Sequence, residues 1–505
     1  MPIPSTVKRG FYLLASLAIV AIGLQLRIQN SQARILHSDE AVQAYQLWEL
    51  METGEYRYDP FDKHGPTLYY ASSVLNGLLG IESEELDRTT LRLGPIIASV
   101  ALIAFILLLG WRNESLVYLL GGLFYALSPL PVVYGAYFVQ EALFALIGFS
   151  AFYTFHSYWS EPNVRKAAGF GALSALLFAT KETAIIHLFA IALAAWLSQK
   201  RILESKAWRA ATRPKELGAA LGVFVFVWIV FFSSLFSEFS QLPDSLKAFV
   251  NYADRSQGQG HEKPFSYYFS IFWPHSAEGV RWSEAPFFLI GFAGLILAIR
   301  DRDPARSSIR GVVFYGYIAF AVYCLIPYKT PWLLLSSCLS FALAAGFALR
   351  MPLASGTPIP IRLVACLALS MLAWQQFQSA RKSNYYAADA RNPYIYQHTS
   401  PQFAKLTQRI DDIEALDPDT NLSIAVIGDD NAWPLPWHLR DNATVGYWPN
   451  PATAPALDIV IGPVGALPTI LAETHVVEYH GLRQNVVLEC WIRQNLWDAF
   501  MKTRE

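Results

Sequence analysis

Charged and aromatic side chains crowd into the stretch HSDEAVQAYQLWELMETGEYRYDPFDKHGPTLYY, residues 37–70, directly after an apolar run. It holds two adjacent carboxylates and, later, an acid-Lys-His cluster before Gly-Pro. Carboxylates can take a proton from a hydroxyl nucleophile, and nearby cations can stabilise a departing anion. The alternative is that the first two acids only cap a helix and the tyrosines form an interfacial belt. The candidates here are Asp39, Glu40, Asp62, Lys63 and His64.

A second polar cluster lies in the stretch GQGQGHEKPFSYYFSIFW, where His261, Glu262 and Lys263 precede Pro264. His and carboxylate side chains are plausible ligands for a divalent cation. The cluster has no fixed metal-ligand spacing, so a hydrogen-bonding role without metal is equally open.

The composition indicates a membrane protein that holds these clusters in place. Of the 505 residues, 53% are hydrophobic and 16% are charged, whereas a soluble protein has roughly 25% charged residues. The net charge of −1 gives no indication of nucleic-acid binding. Apolar runs long enough to span a bilayer predict about eleven helices. They lie near 10–28, 92–110, 116–136, 141–159, 167–180, 183–198, 217–237, 285–299, 311–327, 331–349 and 361–378.

Lysine and arginine set the predicted orientation. The loop 199–216, QKRILESKAWRAATRPKE, is the most basic and is placed in the cytoplasm together with the N-terminus. Loops 29–90 and 238–284 and the tail 380–505 then lie outside. The first run follows Lys8 and Arg9 with no small-residue cleavage site, so we expect a retained span.

Three short outer turns carry polar groups where few are tolerated. A charge at membrane depth costs several kcal/mol unless it meets water, a partner or a ligand. Their common side predicts one shared polar site at the outer leaflet, with simple capping of helix ends as the alternative. The groups are Gln140 and Glu141, then Lys181 and Glu182, then Tyr328, Lys329 and Thr330.

The tail alternates helical and strand patterns and predicts a small α/β domain with a partly parallel sheet. PQFAKLTQRIDDIEAL places Phe403, Leu406, Ile410 and Ile413 on one helical face, and LSIAVIGDD and ALDIVIGP indicate buried strands. HVVEYHGLRQNVVLECWI predicts a final pair of strands. Asp429 and Asp430 follow a strand end, a common ligand position. A lid or docking domain without ligand contact is the simpler interpretation.

Several of these motifs, taken in order, resemble the GT-C glycosyltransferases. Ser-Asp-Glu-Ala, then acid-Lys-His-Gly-Pro-x-Leu-Tyr-Tyr, FATKET and HEKPFSYY are similar to elements of the dolichyl-phosphate-mannose–protein mannosyltransferase and aminoarabinose transferase superfamily. HSDEA, YIYQHTSPQF and DDNAWPLPWHLRDNATVGYW further resemble a prokaryotic branch labelled "flippase activity-associated". The likeness extends over nearly the whole chain.

The resemblance implies a polyprenyl-phosphate-linked sugar as donor and a reaction centre at the loop-one aspartate. That role would fall on Asp39, with Glu40 beside it and Glu141 as a third acid. Some members hold a metal between a loop-one acid and a loop-two His, which would map to Asp62 and His261. The register here leaves either Asp62 or His64 facing the site. Groups for the donor phosphate and sugar would be Lys63, His64, Lys181, Glu182, Lys263, Tyr328 and Lys329.

The predicted protein is therefore a polytopic α-helical membrane glycosyltransferase of GT-C type, with a membrane domain over 1–379 and an extracytoplasmic α/β domain over 380–505. It would move a sugar from the lipid-linked donor to a protein, lipid or glycan acceptor on the outer face of the cell membrane, with a divalent metal as an open option. Two alternatives remain: a lipid-linked-sugar flippase or transporter, and a non-catalytic member of an envelope assembly complex. Transporters often show internal repeats and midplane charges, and neither is visible here.

Overall fold

The computed structural model describes residues 5–29, 31–61, 64–199, 213–255, 262–417, 422–428, 432–442, 444–450 and 457–504. Contacts divide the chain into two compact units. The first, here the membrane unit, comprises 1–31 and 50–385. The second, here the tail unit, joins the short segment 32–49 to 386–505.

Helices make up almost all of the membrane unit. The first two described helices are α1 (Ser5–Ile28) and α2 (Ser38–Thr53), and the boundary between the units falls inside α2. Then follow α3 (Thr67–Leu79), α4 (Arg88–Arg112), α5 (Leu116–Leu127), α6 (Pro129–Tyr134), α7 (Glu141–Ser160), α8 (Val164–Phe178), α9 (Ala184–Ser198), α10 (Pro214–Phe232), α11 (Leu242–Arg255), α12 (Tyr267–Phe272), α13 (Ala285–Arg300), α14 (Ser307–Leu325), α15 (Leu335–Leu349) and α16 (Ile359–Tyr385). A hairpin of β1 (His275–Ala277) and β2 (Val280–Trp282) precedes α13.

Within the described ranges, six helices are long and apolar enough to cross a membrane, so the predicted count of eleven spans is not confirmed. Several predicted runs form shorter helices. The run 116–136 is divided at Ser128, because the following Pro129 disfavours helical backbone at the residue before it. The six are Thr6–Ile28, Arg88–Arg112, Pro214–Phe232, Pro304–Leu325, Pro331–Leu349 and Ile359–Tyr385.

Small residues let neighbouring helices of this unit approach closely. A Cβ on Gly294 of α13 would lie 1.8 Å from the carbonyl oxygen of Ala344 in α15. A Cβ on Gly171 of α8 would lie 2.1 Å from the carbonyl oxygen of Ala220 in α10. Any side chain at either position would push the helices apart, which is the packing expected of helices in lipid.

The tail unit is a mixed sheet with helices. Its sheet has the order β4-β3-β5-β7-β6, with β4-β3-β5 parallel and β7 and β6 antiparallel. One face packs against the predicted apolar stripe of α17, whose four residues are all buried. Its elements are α17 (Pro401–Glu414), β3 (Ile424–Ile427), α18 (Leu435–His438), β4 (Val445–Trp448), β5 (Ile459–Pro463), β6 (His475–Arg483), β7 (Val486–Arg493) and α19 (Gln494–Lys502).

The prediction of a partly parallel tail sheet is thus confirmed, including the final strand pair β6–β7. The sequence patterns missed β4, because VGYW is only half-buried and lacks a clear alternation of apolar and polar residues. Asp429 and Asp430 lie outside the described residues.

Candidate active site

The first polar centre in the membrane unit is a buried ion pair between two of the predicted outer turns. Lys181 Nζ, in the turn between α8 and α9, donates a short hydrogen bond to Glu141 Oε1 at the start of α7. Both side chains are almost fully buried, at 6% and 5% exposure. Charges held in this way must satisfy one another, because each would pay a desolvation cost of several kcal/mol alone.

A second pair lies one residue further along the same turn. His64 Nδ1 lies 2.9 Å from Glu182 Oε2, with the histidine partly exposed and the carboxylate buried. Burial alone would raise the pKa of Glu182, but His64 and then Lys181 favour the carboxylate and hold its pKa below the ordinary value.

The loop-one segment that carries His64 docks directly on this turn. The Thr67 backbone N–H donates to the Ala179 carbonyl at 3.1 Å, and the Thr67 hydroxyl donates to the Thr180 hydroxyl at 2.7 Å. A Cβ on Gly65 would lie 2.1 Å from the Ala179 carbonyl oxygen. The His-Gly-Pro sequence therefore has a steric reason, since only glycine permits this close approach.

Lys329 is a buried cation in the third predicted outer turn. Its Nζ donates to the carbonyls of Ile326 and Lys263, the latter at 3.1 Å. Among the described residues no carboxylate lies within ion-pair distance of it, and its burial lowers its pKa. An extended bridge between Glu262 and Tyr328 joins loop two to this turn. Lys263 thus contributes its backbone carbonyl to the position of Lys329.

A small cavity opens beside the Glu141–Lys181 pair, and His187, Tyr323 and Ser336 are among the residues that line it. Both ring nitrogens of His187 are hydrogen-bonded to phenols. Nδ1 lies 2.6 Å from the Tyr315 hydroxyl, and Nε2 lies 3.0 Å from the Tyr323 hydroxyl. This arrangement gives the cavity a rigid wall of hydrogen-bonding groups.

Tyr252 of α11 is a site residue that the sequence analysis missed. Its side chain is half-buried, and desolvation raises its pKa well above the ordinary value. The charges of Tyr323, Glu182, Tyr328 and Glu141 raise it further. Groups of all three predicted outer turns therefore influence this one phenol electrostatically. A signal was present, because Ser245, Ala248 and Tyr252 lie on one helical face.

Asp39 and Glu40 lie in the tail unit, at the second and third positions of α2. The Asp39 side chain is 48% exposed. Glu40 is fully buried, and its Oε2 accepts a hydrogen bond from the backbone N–H of His37 at 3.0 Å. Asp39 lies near Tyr396. Burial of the Tyr396 phenol raises its pKa, and the negative charge of Asp39 raises it further by a smaller amount. Burial lowers the pKa of Arg483, and Asp39 opposes that change.

The structure therefore brings Glu141 together with Lys181 and His64 together with Glu182, whereas Asp39 and Glu40 belong to the other unit. Asp62, Lys63 and His261 lie outside the described residues, which leaves the predicted metal pair Asp62–His261 untested. Over the ranges that the structure does describe, no group of three or more His, Cys, Asp or Glu side chains is arranged to hold a metal ion.

Residues 63–230 match the family model described as dolichyl-phosphate-mannose-protein mannosyltransferase. The matched segment contains His64, Glu141, Lys181 and Glu182. No curated protein matches the chain.

The fold is similar to solved structures of ArnT from Cupriavidus metallidurans. The structure of ArnT bound to undecaprenyl phosphate has a TM-score of 0.63 at 12% identity and covers 95% of this chain and 97% of that protein. The apo structure has a TM-score of 0.64 at 13% identity, with coverage of 95% and 98%. The apo oligosaccharyltransferase of Archaeoglobus fulgidus has a TM-score of 0.54 at 13% identity and covers 87% of this chain and 64% of that protein.

These likenesses confirm the predicted fold class at a coarser level, while the narrower "flippase activity-associated" branch stays a prediction. The chain is a polytopic helical membrane protein with a fold similar to that of ArnT, and its segment 63–230 matches the model of the dolichyl-phosphate-mannose-protein mannosyltransferase family.

Proposed function

We propose that this protein transfers a sugar from a polyprenyl-phosphate-linked donor to a hydroxyl group of an acceptor at the outer face of the membrane. One observation carries the proposal: the segment that matches the mannosyltransferase family supplies the buried ion pair Glu141–Lys181 and, beside it, the hydrogen-bonded pair His64–Glu182. Buried charges are costly in a membrane protein, and they are usually retained for function.

Binding of the donor phosphate is assigned to the membrane unit. Its departure needs positive charge in a site from which water is largely excluded. Lys329 supports this role because its ammonium is buried against carbonyls with no carboxylate partner in the described part of the chain. Lys181 adds a second ammonium, which Glu141 balances, and His64 adds a hydrogen-bonding ring beside Glu182. The ArnT structure with undecaprenyl phosphate supports the lipid class of the donor.

The role of removing the proton from the acceptor hydroxyl is assigned to Asp39. Of the two adjacent acids, only Asp39 presents a half-exposed carboxylate, while Glu40 is buried and used by the backbone. A carboxylate near a hydroxyl nucleophile can take its proton as the new glycosidic bond forms. Tyr252 is assigned to orient the donor, since Glu141, Glu182 and Tyr328 all influence its hydroxyl electrostatically. No step in this proposal uses a metal.

The predicted orientation belongs to the same proposal, with the N-terminus in the cytoplasm and the tail outside. In support, Asp301 gathers Arg306, Arg310 and Arg350 by ion pairs of 2.8, 3.1 and 3.3 Å. The C-terminal ends of α13 and α15 and the start of α14 thus form one basic cluster on the predicted cytoplasmic side. Protease digestion of the tail in right-side-out but not inside-out vesicles would test it.

The test of function is sugar transfer by purified protein in lipid vesicles, with a panel of radiolabelled polyprenyl-phosphate sugars and membrane extract as acceptor. We expect transfer by the wild type and a loss on the order of 10²- to 10⁴-fold in Asp39→Asn. Asp441→Asn is the matched control, because Asp441 is an exposed aspartate of the same unit.

Three outcomes would count against parts of the proposal. Equal transfer by wild type and Asp39→Asn would remove Asp39 from catalysis. Absence of transfer with every donor would contradict the enzyme. If lipid-linked sugar then moved between leaflets, the protein would be a flippase.

A further inference from the structure

His37 occupies the N-cap of α2, the position just before the helix starts at Ser38. Its carbonyl accepts the first helical hydrogen bond from the N–H of Ala41 at 3.0 Å. Its own N–H donates to Glu40 Oε2, and its ring Nδ1 accepts the N–H of Asp39, both at 3.0 Å. This is the reciprocal pattern of a capping box, with histidine in place of the usual Ser or Thr.

The contacts of the ring determine its protonation. Nδ1 receives a backbone N–H, so it must present a lone pair. Nε2 lies 3.0 Å from the carbonyl oxygen of Tyr396, which can only accept, so Nε2 must carry the proton. The side chain is nearly fully buried, at 4% exposure. In this arrangement the ring carries a proton on Nε2 and accepts a hydrogen bond at Nδ1.

A serine or threonine would cap the helix equally well, so the imidazole does something more. It ties the start of α2 to the segment at Tyr396, which a short hydroxyl side chain could not reach. It also places Nδ1 only 3.6 Å from the carboxylate of Asp39. The same ring thus contacts both the backbone and the side chain of the proposed base.

We propose that His37 is the positioning residue for Asp39 and couples the base to pH. In the neutral state the ring fixes the Asp39 backbone and leaves its carboxylate free to take the acceptor proton. When a proton from solvent adds to Nδ1, the Asp39 N–H loses its acceptor. The new N–H⁺ then pairs with the Asp39 carboxylate and withdraws it from catalysis. The proposal rests on the proposed function of Asp39.

Other ionisable groups surround this dyad. The ring of His398 lies 5.8 Å from that of His37, and Glu40 is bonded to the His37 backbone. Two further groups lie near Asp39: Tyr396, in the segment before α17, and Arg483, at the end of β6. Histidine is the side chain that ordinarily changes charge between pH 5 and pH 8, so the transfer assay is run across that range with variants of both His37 and His398.

The test compares His37→Asn, His37→Ala and the neighbouring control His398→Asn in the vesicle transfer assay between pH 5 and pH 8. Asparagine can cap the helix but cannot be protonated. We expect His37→Asn to keep kcat within about threefold at pH 8 and its acid limb to move down by about one pH unit or more. We expect His37→Ala to lose kcat on the order of 10²-fold with an unchanged donor KM. His398→Asn should keep the wild-type limb.

A second measurement does not depend on activity. NMR of protein labelled with ¹⁵N-histidine, with the His37 signal assigned by its loss in His37→Asn, should show an unprotonated Nδ1 and a protonated Nε2 at pH 8. The opposite tautomer, an unmoved acid limb in His37→Asn, or full kcat in His37→Ala would each overturn the proposal. An inactive wild type would instead contradict the proposed function, and the NMR result would still decide the tautomer.

Discussion

The two units hold their acids in opposite ways. In the membrane unit Glu141 is buried and bonded to Lys181, and Glu182 is buried and bonded to His64. In the tail unit Asp39 is half-exposed, while Glu40 beside it is buried and bonded to a backbone N–H. Removing a partner from the buried pair leaves an uncompensated charge, whereas removing the Asp39 charge leaves little unsatisfied.

The difference separates acids that hold structure from acids available for chemistry. A carboxylate that accepts strong hydrogen bonds from its own protein is a poor base, because those bonds favour its charged form. The Asp39 carboxylate is half-exposed, and the His37 ring bonds the Asp39 backbone N–H. In the proposed function this leaves the carboxylate able to contact an acceptor. Adjacent residues of identical charge, Asp39 and Glu40, can thus have different roles, and only their surroundings distinguish them.

The largest expected effect comes from breaking the buried pair. Lys181→Met should lower the free energy of unfolding by about 3–5 kcal/mol, because Glu141 stays buried without its partner. The double variant Glu141→Gln with Lys181→Met should recover most of this loss. Thermal unfolding in detergent measures both.

The control for the pair is Lys166→Met, which breaks the surface pair with Glu161 and should cost less than about 1 kcal/mol. An unchanged melting temperature in Lys181→Met would contradict the buried-pair interpretation. If the recovered double variant also regained sugar transfer, the pair would be structural only.

A smaller effect sharpens the contrast between the adjacent acids of α2. Glu40→Ala should destabilise the protein by about 1–2 kcal/mol, since the buried His37 N–H loses its acceptor. Asp39→Asn should change stability by less than about 1 kcal/mol, because Asp39 is half-exposed and solvent screens its interactions with the helix dipole and with Arg483. Glu40→Ala should have the lower melting temperature of the two variants, and Asp39→Asn should have the lower transfer rate. If one variant were lower in both measurements, the distinction between the two acids would be removed.

The smallest effect concerns a structural acid outside the membrane unit. Glu478 of β6 accepts two 2.8 Å hydrogen bonds from Arg409 of α17. Burial alone would raise the pKa of Glu478, but His480 and Arg409 lower it to about 2. Because its pKa is lowered in the folded protein, the Glu478 carboxylate stabilises the fold at pH values above its ordinary pKa of 4.5. That stability is lost as the pH falls from 4.5 toward about 2.

Thermal unfolding of the wild type and Glu478→Gln at several pH values tests this contribution. The gap between the two melting temperatures should be full at pH 7 and should narrow below pH 4.5. A gap that stays constant down to pH 3 would show that Glu478 gains no stability from its charge.

The membrane class and the tail topology were predictable from the sequence because their signals are local. Apolar runs of sufficient length predicted long apolar helices such as α4 and α10. Period-2 and period-3.6 patterns over 401–492 correctly indicated α17, β3, β5 and the β6–β7 pair. The count of eleven spans is not confirmed, because a local break, such as that before Pro129, divides an apolar run into shorter helices.

The order of the polar motifs along the chain, with their residue types, determined the resemblance to the GT-C superfamily and the candidates Asp39, Glu141, Lys181 and Lys329. Only the tertiary structure decided which of them meet. Lys181 bonds Glu141 across forty positions, residues 32–49 join the unit of 386–505, and Tyr252 lies within electrostatic range of groups from three separate turns. Long-range packing selects such partners from many chemically equivalent groups, and no local pattern records that choice.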